Sequence, residues 1–281
     1  MKKPDRNIEY WSMTEGVFNC LIDDVRTKKF ASAIKKTVKK GDVVVDMGTG
    51  SGILALLAAK AGADKVYAVE IDKNNIKTLR DTFDKNGFGD KIEIIEGSIL
   101  SVKLPEKVDV VIGEMIATAL IEELQVLAMN HIHKYAKKGV KVLLNKYDTF
   151  VDLVENKNNY FGFSFDILRY EYPEEKELVS KSFSQKQLVK NCDFSKKIRG
   201  MSVNESFKLT ATRGGKINGI RLSGKTTFYD KSSLGATFAY DYPLILPIDN
   251  IDVKKGDEFI VKLKYKVCGG LDSLKYSITR K

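Results

Sequence analysis

Cysteine, proline and histidine are all scarce in this chain, with 3, 5 and 2 among 281 residues. Cys20, Cys192 and Cys268 are far apart, odd in number and never spaced as CxxC, which excludes a zinc ribbon and a disulfide framework. A reducing compartment, the cytoplasm, fits that pattern. His131 and His133 are the only imidazoles. No third ligand cluster accompanies them, so no metal site is expected. With so few prolines and no Ser/Gly-rich linker, any two domains should pack closely. The longest apolar runs are broken by Glu114 or by lysines and are too short to cross a bilayer, so no membrane partner is expected. The opening MKKPDRNIEYW lacks the apolar stretch of a signal peptide. Repeats and low-complexity tracts are missing as well.

What is present describes a globular protein. Hydrophobic residues make up 43% and charged residues 30%, a composition that folds, and the length suits two domains. The formal net charge is +10. Its lysines are dispersed along the chain and form no single basic block, so the excess reads first as a solvated surface. A nucleic-acid partner is possible on charge and is not favoured.

The first half alternates strands and helices. DVVVDM (42–47), KVYAVEID (65–72), KIEIIEGS (91–98), KVDVVIGE (107–114) and KKGVKVLLN (137–145) read as strands. ILALLAAKAGA (53–63), NNIKTLRDTFDKNG (74–87) and ATALIEELQVLAMNHIHKYA (117–136) read as helices. This order predicts a parallel, doubly wound α/β sheet. After about residue 146 come short alternating runs such as SFKLTATR and DEFIVKLKYKV, split by Gly, Asn, Asp and Lys turns. They predict an all-β second domain, sandwich or barrel.

Ligands of doubly wound sheets sit at the carboxyl ends of the strands. Two features stand there. The first strand runs into DMGTGSG, where Gly48, Gly50 and Gly52 let backbone approach a ligand. A dinucleotide GxGxxG would need glycine where Ile53 stands, and no Walker A run occurs, so a pyrophosphate is not favoured. The next strand ends in Glu70, an acceptor for two ribose hydroxyls. A nucleoside without phosphates and with a carboxylate at its other end fits both features, and S-adenosylmethionine is such a molecule. Asp72 reads as the cap of the following helix, and Asp46 as a residue that orders the loop. The second feature is Glu114 at the end of VDVVI, followed by Glu122 and Glu123. A buried lone carboxylate is expensive, so it should meet a cation or face a wet cleft.

VVVDMGTGSGILALLAAKAGADKVYAVE resembles motif I of the protein arginine methyltransferases, and CLIDDVRTKKF (20–30) resembles the helix that precedes it in that family. LPEKVDVVIGE is similar to the strand that leads to the family's first catalytic glutamate. YFGFSFDI and SQKQLVKN are similar to the start of its barrel. The resemblance implies a class I methyltransferase with a Rossmann-like sheet over residues 1–146 and a barrel-like substrate and dimerisation domain over 147–281. It implies S-adenosylmethionine as cofactor, with Arg26 on its carboxylate, Gly48, Gly50 and Gly52 in the loop, Glu70 on the ribose, and Ser98 and Ile99 along the adenine. The family often has an acid where Leu100 stands.

Glu114 matches the first glutamate of the family's substrate clamp, and Glu123, nine positions on, the second. Glu122 is then their solvated neighbour. The implied reaction is methyl transfer to an arginine guanidinium of a protein, in a homodimer whose arm would be a shortened one at 148–160. The chain departs from the family in its barrel loop. Where Thr-His-Trp is usual it has Thr237-Phe238-Ala239, while Asp23 keeps the position of the loop's acidic partner. The clamp carries Met115-Ile116-Ala117-Thr118 where Trp-Met-Gly-Tyr is usual, and Tyr10 and Trp11 only loosely echo the aromatic N-terminal motif. These departures leave three alternatives open besides arginine: an RNA acceptor, a small-molecule acceptor, or a cofactor-binding module without turnover. Mono- and dimethylation are not distinguished.

Overall fold

Val43, Val44, Val45 and Met47 are all buried, as a central strand covered on both faces requires. The computed structural model describes residues 15–281, and Tyr10 and Trp11 lie outside them. Helices α1 (Glu15–Ile22) and α2 (Asp24–Thr37) precede β1 (Val43–Met47). Then come α3 (Ile53–Lys60), β2 (Lys65–Glu70), α4 (Lys73–Lys85), β3 (Ile92–Glu96), β4 (Val108–Ile112), α5 (Gln125–Ile132) and β5 (Ala136–Val142). The five strands are parallel in the order β3-β2-β1-β4-β5. The order reverses between β1 and β4, which places the ligand crevice at the ends of those two strands.

The chain then becomes antiparallel. Its strands are β6 (Leu144–Glu155), β7 (Asn159–Tyr160), β8 (Phe163–Ser164), β9 (Arg169–Tyr170), β10 (Lys181–Ser182), β11 (Gln187–Asp193), β12 (Ser202–Thr210), β13 (Gly215–Phe228), β14 (Ser233–Leu234), β15 (Leu244–Val253), β16 (Glu258–Lys266) and β17 (Lys275–Arg280). A seven-stranded sheet runs β10-β6-β13-β15-β9, with β11 on β6 and β14 on β13, beside a three-stranded sheet β12-β16-β17. One hydrophobic core continues through both halves. Phe30 of α2 meets Phe228 of β13 edge-on at 5.1 Å between ring centres.

Two expectations are corrected here. Residues 117–136 are not one helix. Thr118–Leu120 is a single 3-10 turn with Ala119 and Leu120 at φ 58° and 56°, and the α-helix starts only at Gln125. Contacts to the antiparallel half replace the helical hydrogen bonds. Cys268 N–H donates to Leu120 O at 2.7 Å, Gly270 N–H to Ile121 O at 2.9 Å, and Ala119 N–H to the Tyr147 hydroxyl at 3.2 Å. Helical propensity is a weak bias that such pinning overrides. Nor does an arm span 148–160. Residues 144–155 are β6, paired with β13 on one side and with β10 and β11 on the other. The excursion from the sheet is the hairpin β7–β8 and its flanks, which expose Phe161, Phe163 and Ile167.

Candidate active site

The glycine loop closes the end of β1. Gly48, Gly50 and Gly52 have φ of 67°, 54° and 81°, the left-handed region that glycine enters without penalty. Gly52 also has no room for a side chain, since a Cβ there would lie 2.6 Å from a Phe83 ring carbon. Asp46 accepts from the Thr49 hydroxyl at 2.7 Å and so ties the loop to the strand. Burial pushes its carboxyl up to about 6. Glu70, 7% exposed, accepts from Gly50 N–H at 3.0 Å and from the N–H groups of Ile71 and Asp72 at 2.8 and 2.9 Å. A carboxylate has about four lone-pair sites, so one remains for a ligand hydroxyl. Asp72 caps α4 by accepting from Asn74 N–H at 2.9 Å, as the sequence suggests.

At the end of β4, Gly113 (φ 139°) lets the chain pass against β1, where a Cβ would stand 2.7 Å from Met47 O. Glu114 follows and meets Arg26. Nε and Nη2 of Arg26 donate to its Oε2 at 3.2 and 2.6 Å, and Ile116 N–H donates to Oε1 at 2.8 Å. Burial opposes the Arg26 charge, but Glu114 outweighs it and the pKa is raised. Nη1 donates to Cys20 O at 3.0 Å. Two of the five guanidinium donors therefore remain for a ligand.

Glu123 faces the same space from the loop after the 3-10 turn. It accepts no hydrogen bond from any described residue, and burial together with the Glu114 charge raises its pKa well above 4.5. Glu122 is exposed, but it is not simply solvated, because it accepts from the Tyr170 hydroxyl.

These groups line one pocket of about 400 Å³, which Gly48, Gly50, Glu70, Ser98 and Ile99 share with Glu114, Glu122 and Glu123. Gly52 and Asp46 are not on its wall and act through the loop. Among the described residues five carboxylates line it, those of Glu70, Glu114, Glu122, Glu123 and Asp241, against one base, Arg26. The balance suits cationic ligands.

Sequence reasoning missed several wall residues. Cys20 lies on the wall, its thiol pushed up to about 12 by burial and by Glu114. Tyr170, Tyr172 and Tyr242 also line it, the last two with ring centres 4.7 Å apart. Asp241 accepts from the Tyr147 hydroxyl at 2.6 Å, and burial pushes it up to about 7. No local motif marks the three tyrosines and Asp241, because the antiparallel half carries them in from far along the chain, and Cys20 is a single residue of α1 with no motif of its own.

The histidine missing from the barrel loop has a substitute. Asp23, 2% exposed, caps α2 by accepting from Arg26 N–H at 2.9 Å, and its other oxygen accepts from the Thr237 hydroxyl and from Ala239 N–H at 2.8 Å. The latch between the two halves is thus made by a hydroxyl and an amide, while Phe238 is 40% exposed. Asp23→Ala is expected to cost about 3 kcal/mol, the sum of a lost cap and two lost bonds to a buried carboxylate. The urea midpoint checks this, and an unchanged midpoint refutes the latch. His131 and His133 instead place Nε2 on two separate backbone oxygens, of Val102 at 2.9 Å and Phe194 at 3.1 Å. Among the described residues no group of three or more His, Cys, Asp or Glu is placed to hold a metal, and no helix is long and apolar enough to cross a membrane.

A family model described as ribosomal protein L11 methyltransferase matches residues 26–149. An uncharacterized protein of Methanocaldococcus jannaschii is 35% identical over 263 residues, covering 93% of this chain and 95% of that one. Protein arginine N-methyltransferase 1.1 of Arabidopsis thaliana is 30% identical over 71% of this chain, which spans 56% of that protein's length. In structure, the chain superposes with a TM-score of 0.74 and 18% identity on the Trypanosoma brucei PRMT1 enzyme-prozyme complex with AdoHcy, covering 94% and 96% of the two chains. That likeness shows the fold. The parallel sheet with its antiparallel sequel, the glycine loop with Glu70, and these relatives agree: the chain belongs to the class I S-adenosylmethionine-dependent methyltransferases and within them resembles the protein arginine N-methyltransferases.

Proposed function

We propose that this enzyme methylates a guanidinium nitrogen of arginine in a protein. The observation that carries the reading is Glu123, a carboxylate on the pocket wall that no described residue hydrogen-bonds and that lies close enough to Glu114 for its pKa to rise. Two such carboxylates repel unless a cation stands between them. Arg26, the one base on the wall among the described residues, already serves Glu114. A guanidinium offers a planar fork of donors to both acids.

The cofactor end fits S-adenosylmethionine, which when bound supplies a methyl group on a sulfonium. Arg26 has two donors left for its carboxylate, and the free lone pair of Glu70 suits a ribose hydroxyl. The loop of Gly48, Gly50 and Gly52, ordered by Asp46, allows close approach, and Ser98 and Ile99 flank the adenine. Glu114 and Glu123 hold the acceptor and draw its positive charge toward one nitrogen, which frees the lone pair of another. Orientation of that nitrogen toward the methyl supplies much of the rest.

A cytoplasmic location and a division into domains near 146/147 belong to the same reading, as does a homodimer. The hairpin at β7–β8, with Phe161 98% exposed, is the surface assigned to the dimer. Phe161→Asp should convert a dimer to a monomer in light scattering, and a wild-type monomer would refute the assignment.

The test of function is transfer of labelled methyl from the cofactor into a lysate, with the Glu123→Gln protein as control. Label recovered as methylarginine on protein, and lost with the variant, supports the proposal. Label in the nucleic-acid or small-molecule fraction overturns it, and so does cofactor binding without any transfer.

A further inference from the structure

Lys262, Lys264 and Lys266 of β16 and Lys275 of β17 meet on one face of the folded chain. The sheet β12-β16-β17 buries Val203, Phe207, Val261, Leu263 and Tyr265. Side chains alternate across a strand, so the opposite face carries Ser202, Asn204 and Ser206 from β12, Lys262, Lys264 and Lys266 from β16, and Lys275 and Ser277 from β17. In register, Ser202 stands opposite Lys266, Asn204 opposite Lys264, and Lys264 opposite Lys275. No carboxylate occupies any of these positions. Asp257 and Glu258 lie at the other end of β16 and are engaged by Arg280, Lys208 and Lys281. Like charges directly opposite across a sheet are unfavourable, and an anion bound at the Lys264–Lys275 pair relieves that repulsion.

This end of the sheet also opens into a cleft. Lys264, Lys266, Lys275, Ser202, Asn204 and Ser273 line a space of about 840 Å³ together with two carboxylates, Asp272 and Glu122, so the three lysines leave its wall with an excess of positive charge. Glu122 and Leu124 form part of its wall and part of the wall of the methyl-transfer pocket, so the two spaces adjoin.

We propose that this face and cleft bind the phosphate backbone of single-stranded RNA and hold it beside the methyl-transfer pocket. Lysine, serine and asparagine are the donors that contact phosphate oxygens; the face shows no exposed aromatic for base stacking, so the contact is the electrostatic, sequence-independent one to the backbone. The face lacks the buried aromatic anchors of a protein interface. None of the large exposed apolar side chains lies on it, as insertion into a lipid surface requires. The binding does not depend on what the methyl acceptor is.

The experiment is fluorescence anisotropy with a short fluorescein-labelled single-stranded RNA of mixed sequence and the full chain. If three phosphates are neutralised, affinity falls with a log–log salt slope of about −2, or about 20-fold from about 50 to about 200 mM salt. Lys264→Ala/Lys266→Ala/Lys275→Ala together should weaken binding at least about tenfold at the lower salt and flatten the slope by about 2. Lys208→Ala, at the paired end, should change neither. The melting shift produced by S-adenosylhomocysteine should be the same in the triple variant, which shows that it folds. Absence of RNA binding overturns the proposal. Unchanged affinity in the triple variant also overturns it, and so does tighter binding to phosphatidylserine vesicles or polyglutamate.

Discussion

Glu123→Gln should raise the melting temperature of the ligand-free protein by a few degrees at neutral pH while cutting methyl transfer by on the order of 10²–10³-fold. Burial and Glu114 raise the Glu123 pKa in the folded state. Between the ordinary glutamate value of 4.5 and that raised value, the folded protein holds a proton that the unfolded chain has lost. Stability therefore falls as pH rises through that window. A glutamine carries no charge to desolvate, so the gain appears above about pH 4.5 and vanishes below it. A cationic acceptor needs Glu123 ionised, so its KM in the wild type should fall as pH rises through the same window. The same substitution at Glu114 should act in the opposite direction on stability. Arg26 and Glu114 have side chains only 6% and 7% exposed, and leaving a buried charge without its counterion costs up to about 3–5 kcal/mol. Glu114→Gln should thus lower the melting point by roughly 10 °C as well as stop transfer. Thermal melts of the two variants from pH 4 to 8 decide the matter. A destabilised Glu123→Gln, or wild-type turnover in it, contradicts the clamp.

Glu70→Ala should weaken cofactor binding by on the order of 10²–10⁴-fold, read by calorimetry with S-adenosylhomocysteine. Its carboxylate supports three backbone N–H groups, those of Gly50, Ile71 and Asp72, and under the proposed reading a ribose hydroxyl besides. Hydrogen bonds to a charged group contribute about 1.5–3 kcal/mol each, and two of them account for the range. The loss has two origins. Part is the missing ribose contact, and part is a slackened loop at Gly50. Glu70→Gln separates them, because the amide can still accept through its oxygen but offers N–H where the backbone also offers N–H. Affinity within a few-fold of wild type in Glu70→Ala rules out both roles.

The parallel sheet was readable because its signals are local. Val43–Met47, Lys65–Glu70 and Val108–Ile112 are short runs of strand formers, and each is followed by a glycine or an acidic cap. Spacing alone therefore placed Gly48, Glu70 and Glu114 at strand ends, and the structure gathers them around one pocket. The segment 117–136 misled because alanine, leucine and glutamate favour a helix, while the bonds from Cys268, Gly270 and Tyr147 that break it come from far along the chain. The latch on Asp23 was hidden for the same reason. The expected histidine partner is absent, and a hydroxyl and a backbone amide carry no motif.

The sequence by itself determined the alternation of strands and helices in the parallel half, the glycine loop and the strand-end positions of Glu70 and Glu114, since each rests on residues a few positions apart. Only the tertiary structure decided what those groups meet: Glu114 with Arg26, Glu123 with no described donor, Glu122 with Tyr170, and four lysines on one sheet face. Propensity and spacing act over a few residues. Burial, charge pairing and the closing of a pocket depend on which distant segments are brought within a few ångströms, and packing settles that.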